Sequence, residues 1–248
     1  MFPRTQETQL GDSSPSFVQR LLLRKAEDTE SVCRTAILSL LNHAPGARLI
    51  DLGCGDGEFT WRAAEKVGTS DVYGVDIVEE NLTRARQRGI VTLGADLNRE
   101  LPFGTGTVDV ICASHVIEHL NDTDMFLKEV SRILKREGYS VIATPNLAAW
   151  HHIAFLLLGK QPTIAEVSDM ALVGTWSPRG RWVARVGPAH RRIFTMGALT
   201  GLIEYYGLQV EKIVGSGFLP LSGHLASLFG TIDKRHATNI VVRARKPK

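Results

Sequence analysis

Between Arg48 and Ala143, short apolar runs alternate with segments of helical periodicity, and this alternation restricts the possible folds more than any other feature. The runs Arg48 to Leu52, Val72 to Asp76, Ile90 to Gly94, Val108 to Ala113 and Tyr139 to Ala143 have strand length and are apolar at consecutive positions. A strand wetted on one face would alternate polar and apolar residues, so these strands are expected to be covered on both faces. Glu58 to Val67, Glu79 to Arg88 and Asp122 to Lys135 supply the intervening helices. Strand, crossover helix and next strand, repeated, predict a doubly wound α/β fold with a mostly parallel sheet.

The flanks fit that frame. Asp28 to His43 reads as an amphipathic helix stopped at Ala44-Pro45-Gly46. Near the other end, a helix over Thr195 to Tyr206 precedes strands over Leu208 to Val214 and Asn239 to Arg243, which are expected to pair antiparallel at one sheet edge. The rhythm breaks after Asn146, where Pro, Gly and Trp punctuate a stretch without a clear period. We therefore expect a loose leader over residues 1–15 and one domain over 16–248, with an inserted lid over 147–194.

A chain of 248 residues with 44% hydrophobic and 22% charged residues can bury a sizeable core. Its net charge of +3 is too small to imply wholesale binding to nucleic acid. Cys33, Cys54 and Cys112 are widely spaced and include no C-x-x-C pair, which excludes a disulfide framework or zinc knuckle and points to a reducing, cytoplasmic setting. The apolar runs Ile153 to Leu158 and Gly217 to Leu221 are far shorter than a membrane span.

Function is written first in Asp51-Leu52-Gly53-Cys54-Gly55-Asp56-Gly57-Glu58. A strand, three alternating glycines and a helix place a ligand at the carboxyl end of a sheet, because glycine allows positive φ and close backbone approach. A dinucleotide fingerprint would need a small residue where Glu58 stands. Asp51 and Asp56 would repel a pyrophosphate but suit a ligand with a positive centre. The next acid at a strand tip, Asp76, can accept hydrogen bonds from a ribose diol.

Together with Gly74-Val75-Asp76, Ala95-Asp96-Leu97, Leu101-Pro102-Phe103, Val108-Asp109-Val110-Ile111 and His115-Val116-Ile117-Glu118-His119-Leu120, this loop resembles the class I S-adenosylmethionine (SAM)-dependent methyltransferases of the small-molecule, type-11 kind. The resemblance runs in order from Arg48 to Asn146. It implies a Rossmann-like sheet of seven strands with the last antiparallel, and SAM as the cofactor. On the same ground, Asp51, Gly53, Cys54, Gly55 and Gly57 would hold the methionine part, Asp76 the ribose and Asp96 the adenine amine. Ile77 and Leu97 would flank the adenine, and Ser114 would complete the cofactor site. The chain departs from related sequences at Arg136-Glu137-Gly138, where Lys-Pro-Gly-Gly is common.

Methyl transfer from a sulfonium asks the protein to position a nucleophile and to take its proton. His115 and His119 stand where the methyl group should point, and either is a candidate base. His115, Glu118 and His119 also form an H-x-x-E-H set, similar to the E-x-x-E-H metal ligands of some relatives; we expect no metal, with Glu118 and His119 bracing the loop. His151, His152, His190, Arg191 and Arg192 are candidate acceptor contacts. The span from Met170 to Ile203 lacks Asp and Glu but holds Arg179, Arg181, Arg185, Arg191 and Arg192 with Trp176 and Trp182, which suggests an anionic acceptor. The expected function is O-methylation of a small or carrier-linked sugar, glycan or secondary metabolite, with an NAD-type oxidoreductase and a non-catalytic SAM-binding module as the alternatives.

Overall fold

A computed structural model describes residues 29–175, 182–184, 188–219, 221 and 223–248. The expected leader over 1–15 lies outside these residues, as do Trp176, Arg179, Arg181 and Arg185. The elements run α1 (29–39), β1 (Leu49–Leu52), α2 (Glu58–Val67), β2 (Val72–Asp76), α3 (Glu79–Gln87), β3 (Val91–Gly94) and β4 (Val108–Ser114). They continue as α4 (Thr123–Ile133), β5 (Leu134–Pro145), α5 (Trp150–Leu157), β6 (Ala171–Val173), β7 (Trp182–Ala184), α6 (Met196–Tyr205), β8 (Gln209–Ser216), α7 (Gly223–Ile232) and β9 (Asn239–Arg245).

The main sheet has seven strands in the order β3-β2-β1-β4-β5-β9-β8. β1 to β5 are mutually parallel, and β9 runs antiparallel between β5 and β8. Consecutive strand residues serve opposite faces. Leu49, Val110 and Val141 join one core with α1, α2 and α3, while Ile50, Ile111 and Ile142 join another with α4 and α6. Apolar residues at every position are therefore required, as the sequence pattern implied. The strand order reverses between β1 and β4, which opens a crevice at the carboxyl edge there.

The segment after β5 leaves and returns at one point. Asn146 is fully buried and bridges to Phe194, and Leu147 N donates to the Phe194 carbonyl at 2.8 Å. The Asn146 amide also donates to the carbonyls of Arg235 and Ala237, both at 2.8 Å, tying this point to the approach to β9. Between these ends lie α5 and the two-stranded sheet of β6 and β7. Helix α7 was not expected. The sequence between the last two strands reads as an apolar connection, but α7 packs on β8 through Gly230, whose carbonyl lies where a Cβ on Gly215 would fall, only 2.4 Å away.

The turn where the sequence departs from its relatives carries a local cost. Glu137 adopts φ 66°, in the left-handed region. Gly138 beside it is tightly enclosed, since a Cβ there would press on the carbonyl oxygens of Lys135, Asp109 and Val108 at 3.0–3.1 Å. Because a side chain in the left-handed region is disfavoured, Glu137→Gly should stabilise the protein by about 1 kcal/mol in urea unfolding. Destabilisation instead would show that the Glu137 side chain contributes more than its backbone strain removes.

Candidate active site

Every strand that reaches the crevice delivers its functional group at its carboxyl end. Asp51, at the end of β1, is 2% exposed. Its Oδ2 accepts from the Thr60 hydroxyl at 2.5 Å, whereas its Oδ1 is buried with no hydrogen-bond partner among the described residues. Burial pushes the Asp51 carboxyl up to about 6 against the opposing pull of the Thr60 hydrogen bond and the Arg34 charge. Thr60 escapes a reading of the sequence alone. It sits among Phe59, Ala63 and Val67 on the buried face of α2, and a polar residue on such a face signals a hidden partner.

The three glycines of the loop all have positive φ, but for different reasons. A Cβ on Gly53 would lie 2.2 Å from Val116 Cγ2, and one on Gly57 would lie 2.6 Å from Ile90 Cδ1. Those two are required by protein atoms. A Cβ on Gly55 would meet nothing within 4 Å, so only there does the loop leave empty space. Cys54 packs its sulfur against Gly74, where a Cβ would come within 2.7 Å, and burial, with Asp51 and Asp76 nearby, pushes its thiol up to about 12. It carries no thiolate chemistry.

Asp76, at the tip of β2, accepts from Gly55 N and Val78 N, both at 2.9 Å, and each oxygen keeps further acceptor capacity. Ile77 beside it is 72% exposed, an unusual state for a large aliphatic side chain at a crevice rim. Asp96 Oδ1 accepts from the backbone and side chain of Asn98, and these bonds hold its carboxyl below the usual range. Leu97 is buried. Glu58, which stands where a dinucleotide loop needs a small residue, forms ion pairs with Arg34 and with Arg62. Asp51, Gly53, Gly55, Ser114 and His115 line a crevice of about 120 Å³ together with Glu30 and Arg34 from α1, two further residues that no local sequence signal marks.

A larger cavity of about 770 Å³ adjoins it, lined by His115, His119, Pro145, His151, His152, Ile164 and Leu219 among others. His115 borders both spaces. It holds φ 55°, a left-handed conformation unusual for a side chain, and places its Nδ1 3.3 Å from Glu118 Oε1. Burial would lower the His115 pKa, but Cys33 and Glu118 beside it hold it well above the ordinary imidazole value. Burial pushes His151 down to about 4 and also lowers His152, so both are neutral rings near pH 7. His152 Nδ1 lies 3.0 Å from the Asn146 carbonyl, which puts the proton on that nitrogen, and its buried Nε2 has no partner among the described residues.

The fold does not bring Arg191 and Arg192 to the cavity lining. Arg191 pairs with Asp169 at 2.9 Å, and Arg192 donates to the Asn121 carbonyl at 2.7 Å. An acid just outside the acid-free span therefore takes the charge that the sequence pattern assigns to the acceptor. The H-x-x-E-H set also rearranges. Glu118, His119 and His190 bring ligand-capable atoms within 4.8 Å of one another, whereas His115 is absent from that group. His190 stacks on His119 with ring centroids 4.9 Å apart.

The two glycine environments predict separable effects. Gly53→Ala combines positive φ with a clash and should lose about 3 kcal/mol, whereas Gly55→Ala should lose only about 1 kcal/mol, both by urea unfolding. Equal losses would show that Val116 yields without cost.

Residues 50–142 match the family model described as a methyltransferase domain. The mitochondrial ubiquinone biosynthesis O-methyltransferase of Rattus norvegicus is 27% identical over 197 residues, which cover 74% of this chain and 52% of that protein. Nocamycin O-methyltransferase of Saccharothrix syringae is 30% identical over 125 residues, 46% of this chain and 45% of that protein. The chain spans about half the length of these curated relatives. A solved SAM-dependent methyltransferase from Thermotoga maritima shares the fold, with a TM-score of 0.61 at 19% identity, covering 92% of this chain and 94% of that one.

Proposed function

We propose that the chain, whose residues 50–142 match a methyltransferase domain, is a class I SAM-dependent methyltransferase that moves the methyl group of SAM to a hydroxyl of a small or carrier-linked acceptor held in the histidine-lined cavity. One observation carries the cofactor half of this reading: the buried Asp51 Oδ1 has no donor among the described residues. An unsatisfied buried carboxylate oxygen is costly, and an ammonium group would satisfy it. The neighbouring features suit the rest of such a molecule. Gly55 leaves room at the loop, Asp76 has acceptor capacity for a ribose diol, and exposed Ile77 offers an apolar face to an adenine ring.

When bound, SAM supplies a methyl group on a positively charged sulfur, which departs as a neutral thioether. The protein's task is then orientation and removal of one proton. Because His115 borders both the crevice and the cavity, transfer is assigned to the junction beside it. His119 takes the acceptor proton as the new O–C bond forms and the C–S bond breaks, while His115, which already carries its proton beside Glu118, helps to position the acceptor. The neutral rings of His151 and His152, with Ile164 and Leu219, favour an uncharged, partly apolar acceptor. An anionic acceptor has less support, since the described arginines of the lid are engaged by protein groups. The free, buried cysteines suit a reducing, cytoplasmic setting.

Two outcomes test this. Asp51 titrates near 6 and must be ionised to meet an ammonium, so SAM affinity measured by calorimetry should fall about tenfold between pH 7 and pH 5. Asp51→Asn should bind weakly with no such pH dependence; a wild-type affinity flat across that range would contradict the assignment. His119→Ala should lower kcat by roughly 10²- to 10⁴-fold while SAM affinity stays within about twofold. Labelled-methyl transfer to fractionated metabolites supplies the acceptor for that assay, and an unchanged kcat would remove His119 from the reaction.

A further inference from the structure

We infer that His152 and Asn239 form a recognition site for a second, unreacted hydroxyl of the acceptor, so that the cavity takes a molecule carrying at least two hydroxyl groups. That the occupant is the methyl acceptor rests on the methyl-transfer reading; that it carries this hydroxyl rests on two side chains. The buried Nε2 of His152 and the buried Nδ2 of Asn239 have no hydrogen-bond partner among the described residues. Both residues line the cavity of about 770 Å³, and they are only 2% and 3% exposed. A buried polar atom left unpaired destabilises the folded chain, so two of them on one cavity wall signal a partner that arrives with the ligand.

The end of β5 brings these two residues to the same cavity. Pro145 stands opposite Asn239, the first residue of β9, in the antiparallel pair. The next residue, Asn146, accepts through its carbonyl from His152 Nδ1 at 3.0 Å, and its own N donates to the Thr238 carbonyl at 2.9 Å. Asn146 is itself anchored by the Arg235 and Ala237 carbonyls, so the support of both side chains is fixed before any ligand enters. The sequence pattern marks His152 but not Asn239, a polar residue at the head of an apolar strand.

The two unpaired atoms call for complementary partners. With the His152 proton on Nδ1 and the ring kept neutral by burial, Nε2 offers a lone pair and needs a donor. The Asn239 amide nitrogen carries hydrogens and needs an acceptor. A hydroxyl supplies both from one oxygen. A carboxylate or an ether has no hydrogen for Nε2, and Glu30 on the cavity lining further disfavours an anion. Pro145, Ile164 and Leu219 offer apolar surface to the carbon skeleton between the hydroxyls. On the methyl-transfer reading, the group held by His152 and Asn239 decides which of the acceptor's hydroxyls faces His119. A methylated oxygen turned toward His152 would bring no hydrogen to Nε2, which favours a single methylation.

The test uses the full-length protein without SAM, isotope-labelled at its histidine nitrogens and titrated with trans-1,2-cyclohexanediol. The His152 Nε2 resonance, assigned by its loss in His152→Phe, should move on binding. The dimethyl ether of the diol, cyclohexanecarboxylate and cyclohexanecarboxamide should each bind about fivefold or more weakly than the diol. Asn239→Leu should weaken diol binding by about fivefold while its urea midpoint stays unchanged or rises, since an unpaired polar group has been removed. Should Asn239→Leu fail to fold, Asn239→Ala must show the same loss of diol affinity. An unmoved His152 Nε2 resonance, any of the three other probes binding as tightly as the diol, or undiminished diol binding in the Asn239 variant would each overturn the site. These measurements need neither SAM nor turnover, so absence of methyl transfer would sink the functional reading and leave this one standing, whereas methyl transfer with a flat diol response would sink only this one.

Discussion

The side chain of Asp51 is withdrawn from water where the strand order reverses, with one oxygen taken by Thr60 and the other left without a donor among the described residues. Folding tolerates this only because α1, α2 and the glycine loop close around it, and its carboxyl rises to about 6 as a result. Much of the carboxyl edge follows from that arrangement. Val116 must fill the space under Gly53, which ties the β1 loop to the loop after β4, and Asp76 must reach back to Gly55 N. The crevice thus presents a buried carboxylate oxygen that has no hydrogen-bond partner among the described residues.

A second arrangement depends on the insertion rather than on the sheet. Asn146 and Phe194 close its two ends, and the return limb then lies against the Glu118 turn. This sets four histidines, His115, His119, His151 and His152, around one cavity and a fifth, His190, behind His119. Burial keeps His151 and His152 neutral, so their side of the cavity suits hydroxyls and apolar surface more than charge.

The sheet was legible in the sequence because each central strand serves two cores and cannot hide its apolar residues. Leu49 and Ile50 point to opposite faces and both are fully buried. Asp51 and Asp76 were legible for a related reason: acids at the ends of apolar strands stand out. The glycines were only half legible, since a glycine required by Val116 or Ile90 looks the same in sequence as one that leaves room for a ligand. Long-range pairings were hidden. Nothing local marks Asp169 as the partner of Arg191, or His190 as the neighbour of His119, because those contacts are made by the closure of a loop. Helix α7 escaped because Gly230, which packs closely on β8, reads locally as a break.

The central claim is that the crevice at the carboxyl edge between β1 and β4 receives SAM through Asp51, with Asp76 at the neighbouring tip of β2 taking its ribose. The most direct measurement is a crystal structure of the protein grown with S-adenosylhomocysteine, the demethylated product. The account predicts an ammonium group against Asp51 Oδ1, ribose hydroxyls on Asp76 and the sulfur directed toward His115. Product density elsewhere, or a saturating soak that leaves the crevice closed over Asp51, would contradict it.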